Sequence, residues 1–282
     1  NIPFFKPWIN DEDKKHVANA LNQRWLTNGP NLLKFENKFS VTNNSKFSIA
    51  VSTATHGLHL SLASLGIGSG DEVIVPTFTF SATADAVEYC GAKPIFVDVD
   101  MNSFNIIPNE IKKKITKKTK AIVVVHYGGQ SCDMNEILKI SKAKNIPVIE
   151  DCAHALGSTY GLKKCGTIGN VGCFSFYPTK VITTGEGGMI TTNNIKLFQK
   201  IKSLRSHGMS ILPSEREKKA SWEYDIVELG FNYRLDEIRS ALGFSQLKRL
   251  GEINKRRKMV AKKYSELLNN IKGIITPITK NK

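Results

Sequence analysis

The chain has 282 residues, of which 41% are hydrophobic, so it is long enough to bury a sizeable core as an ordinary globular protein. Its formal net charge is +15, since 40 Lys and Arg outnumber 25 Asp and Glu. No apolar run reaches the roughly 18 residues of a membrane span, and the start does not resemble a signal peptide, so a membrane partner is not expected.

The cysteines argue against a secreted, disulfide-stapled domain. There are five, an odd number, and no two of them form a C-x-x-C pair. This pattern favours reduced thiols in a cytoplasmic protein over a zinc site or a disulfide framework, and no metal site is expected. The five are Cys90, Cys132, Cys152, Cys165 and Cys173.

The positive charge is concentrated in two lysine-rich stretches, residues 112–120 and 248–263. Nucleic-acid binding is one interpretation and a solvated helical surface is the other. The lysines alternate with Ile, Thr and Ala at helical spacing, without the aromatic residues on which single-stranded nucleic acids stack. The surface interpretation is favoured, and no nucleic-acid partner is expected. The charge would still favour an anionic small-molecule substrate.

The first part of the chain alternates helical and strand patterns. Asn10 can cap a helix whose first turn is acidic. The apolar residues 47–51 predict a strand, and a small-residue turn at 52–57 leads to a helical run at 58–65. Such a turn is a common anion site, because free N–H groups and the helix dipole point outward. Any α/β protein has several of them, so a plain connection remains the alternative.

The alternation continues through the middle of the chain, with polar residues at predicted strand ends. A strand ends at residues 76–80, where Phe78 and Phe80 are of the type usually found in a core. His126 follows the strand predicted at 121–125, at the edge where ligands of open α/β sheets gather. It is equally well interpreted as a structural histidine. Residues 214–223 are charged and without periodicity, typical of a loop.

Asp151 directly follows apolar residues, in a position where a strand leaves the core. A helix cap and a functional carboxylate are both consistent with that position. It faces the edge of the sheet that is also expected to carry Lys180.

Residues 173–188 form the stretch around which the rest of the chain is organised. A strand-like run at 171–176 ends before Pro178, and Lys180 follows on a loop of small residues that leads to another apolar run. A surface lysine on a strand connection is the ordinary interpretation. A lysine held between two buried strands would instead have a lowered pKa, which suits an amine nucleophile.

Residues 175–188 and 229–236 resemble two motifs of the DegT/DnrJ/EryC1/StrS family of pyridoxal-phosphate-dependent nucleotide-sugar aminotransferases, and the resemblance extends over nearly the whole chain. It implies the fold-type-I aminotransferase architecture, an α/β fold with a mostly parallel central sheet covered by helices. We expect a large cofactor-binding domain over 1–247. Residues 248–282 would begin a smaller C-terminal domain, expected to be incomplete because family members generally continue further.

The resemblance assigns roles to individual residues. Lys180 would bind the cofactor as a Schiff base, and Asp151 would keep the pyridine nitrogen protonated. Phe80 would stack on the ring, and His154 would contact its ring oxygen. Asn232 would reach across a dimer interface to the partner's cofactor phosphate. Further candidates are Ser175, Ala54 and Thr55 for the cofactor, and, for the substrate, Thr27, Gly29, His126 and Glu186.

The implied reaction moves an amino group from an amino acid, expected to be L-glutamate, to a nucleotide-linked keto sugar. The cofactor would alternate between pyridoxal and pyridoxamine 5'-phosphate. Where the family commonly has Ser-Gly-Thr, this chain has Thr53, Ala54 and Thr55, which resembles the branch acting on UDP-linked 4-keto sugars. We therefore expect amination at C4 of a UDP-4-keto-6-deoxy sugar for surface-polysaccharide or glycan biosynthesis.

Three alternatives stay open at this point. The reaction could occur at C3 or on a GDP- or dTDP-sugar, or the protein could be a catalytically silent, cofactor-binding regulator of the same fold. Family dehydratases have histidine in place of the lysine, so Lys180 argues against that activity.

Overall fold

The computed structural model describes residues 3, 5–211 and 223–279. Apart from Glu223, the charged stretch predicted to be a loop at 214–223 lies outside these ranges.

A seven-stranded sheet forms the centre of the fold, in the order β1-β9-β8-β5-β4-β2-β3. The pairs among β8, β5, β4, β2 and β3 are all parallel, whereas β9 runs antiparallel to both β1 and β8. The predicted mostly parallel sheet is thus confirmed. The strands are β1 (Phe47–Val51), β2 (Glu72–Pro76), β3 (Lys93–Val97), β4 (Thr119–Val125), β5 (Val148–Asp151), β8 (Val171–Ser175) and β9 (Gly188–Thr192); β6 (Thr159–Tyr160) and β7 (Lys163–Lys164) form a separate hairpin.

Helices follow most strands in the described part of the chain. Several begin at the polar caps that the sequence offers: Asn10 and Asp13 form a reciprocal capping box at the first helix, and Thr53 caps the third. The helices are α1 (Asp11–Leu21), α2 (Pro30–Asn43), α3 (Ala54–Ser64), α4 (Ala82–Tyr89), α5 (Pro108–Lys114), α6 (Met134–Lys144), α7 (Ile195–Leu204), α8 (Glu237–Lys248) and α9 (Leu250–Leu268).

Both faces of the sheet are buried, which explains why its inner strands are continuous apolar runs. Val73 and Val75 contribute to a core cluster that also includes residues of α3, α4 and α7. Ile74, between them, points to the opposite face and joins a cluster with α5 and α6. The remaining part of that face packs against α2 and α8, through residues such as Phe35 and Leu247. The sheet is therefore the middle layer of three.

Several local predictions need adjustment. Helix α3 begins at Ala54, four residues before the predicted helical run, because Thr53 accepts a hydrogen bond from the backbone N–H of His56. The sequence pattern predicts a helix from Asn254 to Leu268, but helix α9 begins at Leu250. Phe78 and Phe80, which were interpreted as residues of the core type, are 45% and 77% exposed because they lie on the loop after β2 and not within it.

Helix α9 is exposed over most of its length, and its buried residues Leu250 and Ile253 anchor its first turn. The break between α8 and α9 coincides with the domain boundary predicted near residue 248, and that boundary stays a prediction. No helix in the described ranges is long and apolar enough to cross a lipid bilayer.

Candidate active site

The candidate residues converge because parallel strands end at the same edge of the sheet. Asp151 is the last residue of β5, and Ser175 is the last residue of the neighbouring strand β8. The loop after β8 carries Lys180. The sequence motifs at 148–151 and 173–188 are therefore brought together by strand pairing.

Asp151 is a buried carboxylate, 6% exposed. Its Oδ2 accepts a hydrogen bond from Thr83 Oγ1 at 3.0 Å, and its Oδ1 accepts one from the backbone N–H of Ala153 at 3.0 Å. Among the described residues, no Lys, Arg or His nitrogen lies within 4.0 Å of this carboxylate. A buried negative charge that receives only neutral donors is suited to a cationic ligand group.

Lys180 lies on a turn in which its backbone N–H donates to the Tyr177 carbonyl at 2.9 Å. From α9, Arg257 donates to the Thr179 carbonyl at 3.1 Å and to the Lys180 carbonyl at 3.5 Å. Burial lowers the pKa of the Lys180 amine; the Asp151 carboxylate opposes this shift, while the charge of Arg257 adds to it. The amine is therefore more easily neutral than that of an ordinary lysine.

A cavity of about 480 Å³ opens beside Lys180. Three further cations line it, and none of its lining residues is acidic, so it is suited to anionic ligands. It is lined by Phe5, Lys6, Pro7, Trp8, Pro178, Thr179, Lys180, Val181, Thr183, Gln246, Ile253, Arg256 and Arg257.

His154 follows β5 on the same edge. Its Nδ1 accepts a hydrogen bond from the Gly128 N–H at 3.3 Å, and its ring packs edge-on against Tyr127. Burial lowers the pKa of His154, and the nearby charge of Lys180 lowers it further. A neutral ring that accepts at Nδ1 keeps its Nε2–H as a donor for a ligand.

A second group of residues forms a cradle suited to phosphate. Ala54 and Thr55 are the first two residues of α3, whose N–H groups have no partner within the helix. Gly188 packs so closely against this helix start that a Cβ there would lie 2.7 Å from the Ala54 nitrogen. Ser175 Oγ accepts from the Tyr177 N–H at 3.4 Å, which leaves its hydroxyl proton for an anionic acceptor.

Most of the remaining candidates lie at the surface. Phe80 and Asn232 are exposed, and so is Glu186 in the lysine loop. Thr27 is exposed where it bridges to Asp236, and Gly29 is buried as the residue that caps α2. Of all the candidate residues predicted from the sequence, Lys180 alone lines the cavity described above.

His126 lies in the interior of the protein. Its side chain is fully buried, its Nε2 lies 2.9 Å from Glu150 Oε2, and its Nδ1 accepts from the Cys132 N–H. His126, Glu150 and Cys152 have potential metal-ligating atoms within 4.8 Å of one another. However, both Glu150 oxygens already accept backbone N–H groups of residues 166–169, so the cluster is a structural hydrogen-bond network. These contacts favour the interpretation of His126 as a structural histidine.

Three residues of the site escaped the sequence analysis. Thr83 contacts Asp151 from 68 positions away, and Arg257 contacts the Lys180 loop from 77 positions away. Glu237 is fully buried and accepts three N–H groups at the start of α2, including that of Gly29. In the sequence each of these residues lies in a helical pattern without a distinguishing feature. Its partner is distant in the chain and is brought near only by folding.

Residues 7–282 match the DegT/DnrJ/EryC1/StrS aminotransferase family. The chain belongs to that family.

Individual members agree with this assignment. The spore coat polysaccharide biosynthesis protein SpsC of Bacillus subtilis is 42% identical over 98% of this chain and 71% of its own length. GDP-perosamine synthase of Escherichia coli O157:H7 is 40% identical over 96% of this chain and 72% of its own length. A proposed sugar aminotransferase of Streptococcus pneumoniae, solved in PMP and PLP forms, has a TM-score of 0.89 in the PMP form at 32% identity, covering 96% of this chain and 73% of that one.

Membership confirms the expected fold and identifies the chain as a sugar aminotransferase that uses pyridoxal 5'-phosphate. The site fits this cofactor by three independent features. An amine of lowered pKa can form the covalent link, a buried carboxylate without a described cationic partner can hold a protonated ring nitrogen, and the start of α3 can hold a phosphate.

Proposed function

We propose that this enzyme transfers the amino group of L-glutamate to C4 of a nucleotide-linked 4-keto-6-deoxy sugar, for surface-polysaccharide or glycan biosynthesis. The observation that carries the proposal is that Lys180, whose amine has a lowered pKa, borders a cavity lined by cations and lies close enough to the buried Asp151 carboxylate to interact with its charge. The free thiols of all five cysteines are consistent with a reducing compartment, and we infer that the reaction occurs in the cytoplasm.

Lys180 is proposed to have two tasks. It would hold the cofactor covalently, and its free Nζ would carry the proton from the carbon of the amino donor to the cofactor and, in the second half of the reaction, from the cofactor to the carbon of the sugar. That second task needs the amine neutral, which its lowered pKa favours. When bound, pyridoxal phosphate supplies a ring that accepts electrons from the substrate carbon.

The neighbouring residues are proposed to hold and tune the ring. Asp151 keeps the ring nitrogen protonated, His154 donates to the ring oxygen, and Phe80 covers the ring face. A charge-assisted bond such as that of Asp151 contributes about 1.5–3 kcal/mol, more than the roughly 0.5–1.5 kcal/mol of aromatic stacking. Ser175 and the first residues of α3, Ala54 and Thr55, are proposed to bind the phosphate.

The charge of the cavity supports both proposed substrates. Glutamate carries two carboxylates and a sugar nucleotide carries a diphosphate, whereas the cavity is lined by Lys6, Arg256 and Arg257 without an acidic residue. Thr27, Gly29 and Glu186 stay candidate sugar contacts, which would have to lie outside this cavity.

The nucleotide has two candidates. Ala54 and Thr55 favour UDP, as the sequence comparison with the family suggested. The GDP-perosamine synthase relative, at 40% identity, makes a GDP-sugar the second candidate.

A homodimer with shared active sites is also proposed. Asn232 is exposed, and it follows exposed apolar residues, among them Val227 at 64% and Leu229 at 88%. Such a patch is of the kind that a partner subunit covers.

The experiment is a panel of UDP-, GDP- and dTDP-linked keto sugars assayed with glutamate, with product position determined by NMR. We expect C4 amination of one 4-keto sugar, with Lys180→Ala slower by at least the 10²- to 10⁴-fold typical of acid–base catalysis. Amination at C3 would contradict the proposed position. Cofactor binding without any spectral change on adding glutamate would instead favour a silent regulator.

A further inference from the structure

Two threonine hydroxyls form a hydrogen-bonded chain that ends at the Asp151 carboxylate. Thr83, in the first turn of α4, is 1% exposed and donates from Oγ1 to Asp151 Oδ2 at 3.0 Å. Thr79 Oγ1 lies 2.7 Å from Thr83 Oγ1. A threonine hydroxyl has one proton, and that of Thr83 is committed to Asp151. Thr79 must therefore be the donor in the second bond, and the chain runs in one direction, from Thr79 through Thr83 to Asp151.

This arrangement fixes both oxygens of the carboxylate. The backbone N–H of Ala153 donates to Oδ1 at 3.0 Å while Thr83 donates to Oδ2, so rotation of the carboxylate would break two buried bonds. A donor that itself accepts a hydrogen bond is a stronger one, so the bond from Thr79 strengthens the bond that Thr83 donates to Asp151.

The same threonine ties together two parts of the site. The Thr83 N–H donates to the carbonyl of Phe80 at 3.1 Å, so the loop that carries Phe80 is joined to β5 through the side chain of Thr83.

We propose that Thr83 is a positioning residue that holds the Asp151 carboxylate oriented toward the cofactor's ring nitrogen, with Thr79 as its own donor. This inference rests on the role proposed above for Asp151 and goes beyond it in assigning how the carboxylate is held.

The test measures noncovalent binding to the apoenzyme of two probes: pyridoxamine 5'-phosphate and its analogue with a C–H group in place of the ring nitrogen. A hydrogen bond to a charged group is worth about tenfold or more in an equilibrium constant, so Thr83→Val should weaken pyridoxamine phosphate binding about tenfold. Binding of the analogue should change by no more than about twofold, the range expected for uncoupled contributions. Thr83→Ser keeps the hydroxyl and should restore the wild-type constant.

Thr192→Val is the matched control, because Thr192 is also buried and donates to a backbone carbonyl, that of Asn170, at 2.8 Å. It should leave both dissociation constants unchanged. If Thr83→Val weakens the binding of both probes equally, the proposal is overturned, because that result indicates a general packing defect. An unchanged dissociation constant for pyridoxamine phosphate in Thr83→Val would also overturn it. Should Thr83→Val fail to fold, Thr79→Val replaces it, and it must weaken pyridoxamine phosphate selectively.

The wild-type protein separates this inference from the proposal on which it rests. If wild type binds both probes equally well, Asp151 is not the partner of the ring nitrogen, and both proposals fail. If wild type binds pyridoxamine phosphate more tightly than the analogue, and Thr83→Val keeps the same ratio of dissociation constants, the role of Asp151 stands and that of Thr83 is refuted. No sugar nucleotide enters the measurement, so the substrate proposal is tested separately.

Discussion

At the scale of single residues, the reactivity of Lys180 depends on charges supplied by distant parts of the chain. Its amine must be neutral to react, and burial, with the added charge of Arg257, lowers its pKa from the ordinary value of 10.5. Asp151 acts in the opposite direction. Arg257 therefore increases the fraction of the Lys180 amine that is neutral at a given pH.

Arg257→Gln tests this balance. Removing a positive charge raises the pKa of Lys180, so a larger fraction of the amine is protonated at a given pH. The rate of covalent pyridoxal phosphate capture by the apoenzyme rises with pH as the amine deprotonates, and we expect the midpoint of that curve to move to higher pH in the variant. Stopped-flow absorbance across a pH series measures it.

Lys255→Gln provides the control for Arg257→Gln, because Lys255 is an exposed cation on the same helix and does not line the cavity. Its midpoint should equal that of wild type. A midpoint for Arg257→Gln at or below that of wild type would contradict the role assigned to the guanidinium.

Sequence reasoning at this scale was limited to chemistry that is local in the chain. Lys180 and Asp151 could be singled out because each follows its own apolar strand. Thr83 could not, since a threonine early in a helix is common and its partner is 68 positions away. His126 was placed at the correct edge, but its direction, into the interior toward Glu150, depends on the loop 166–169 that surrounds that carboxylate.

At the scale of elements, the antiparallel strand β9 begins beside the cradle suited to phosphate. Gly188 starts this strand, pairs with both Val51 and Ser175, and touches the first residues of α3. A Cβ at this position would lie within 2.8 Å of three backbone atoms of Thr53 and Ala54. Backbone atoms cannot move aside as a side chain does, so the helix start itself would have to shift.

We therefore expect Gly188→Ala to destabilise the protein by about 1–3 kcal/mol, the usual cost of overpacking, and to weaken pyridoxamine phosphate binding. Urea unfolding and titration of the apoenzyme measure the two effects. Gly251→Ala is the matched control, since outside its chain neighbours and the backbone of its own helix no described atom lies within 4 Å of a Cβ built there. A Gly188→Ala protein with wild-type stability and affinity would show that the α3 start tolerates displacement.

Most helices and strands could be predicted from sequence patterns, but their ends could not. Apolar runs such as 121–125 mark buried strands, because both faces of the sheet are covered. The start of α3 was misplaced by four residues because the cap, Thr53, is set by backbone geometry and not by an apolar pattern. The strand order, with β9 inserted between β1 and β8, has no local signature at all.

At the scale of the whole molecule, the proposed dimer predicts complementation between two inactive variants. Lys180→Ala lacks the amine, and Asn232→Ala lacks the contact proposed to reach the partner's site. A mixed dimer has one site with both defects and one with neither. With random subunit exchange, roughly a quarter of wild-type activity should return, because half of the dimers are mixed and half of their sites are intact.

The complementation assay uses equal amounts of the two variants, incubated until mass spectrometry shows mixed dimers. Each parent alone should stay impaired and is its own control. Mixed dimers that regain no activity would show that Asn232 acts within its own subunit.

The position of β1 in the sheet has a consequence for synthesis on the ribosome. The strand pairs with β9, and the partner of Val51 is Gly188, more than 130 positions later in the chain. At about 5–20 residues per second, the hydrogen-bonding edge of β1 waits roughly 7–27 s for its partner to be made. During that interval a strand with four buried residues of five has an open edge, on which nascent chains can aggregate. Slow translation before residue 188 should therefore lower the yield of folded protein more than slow translation after residue 192.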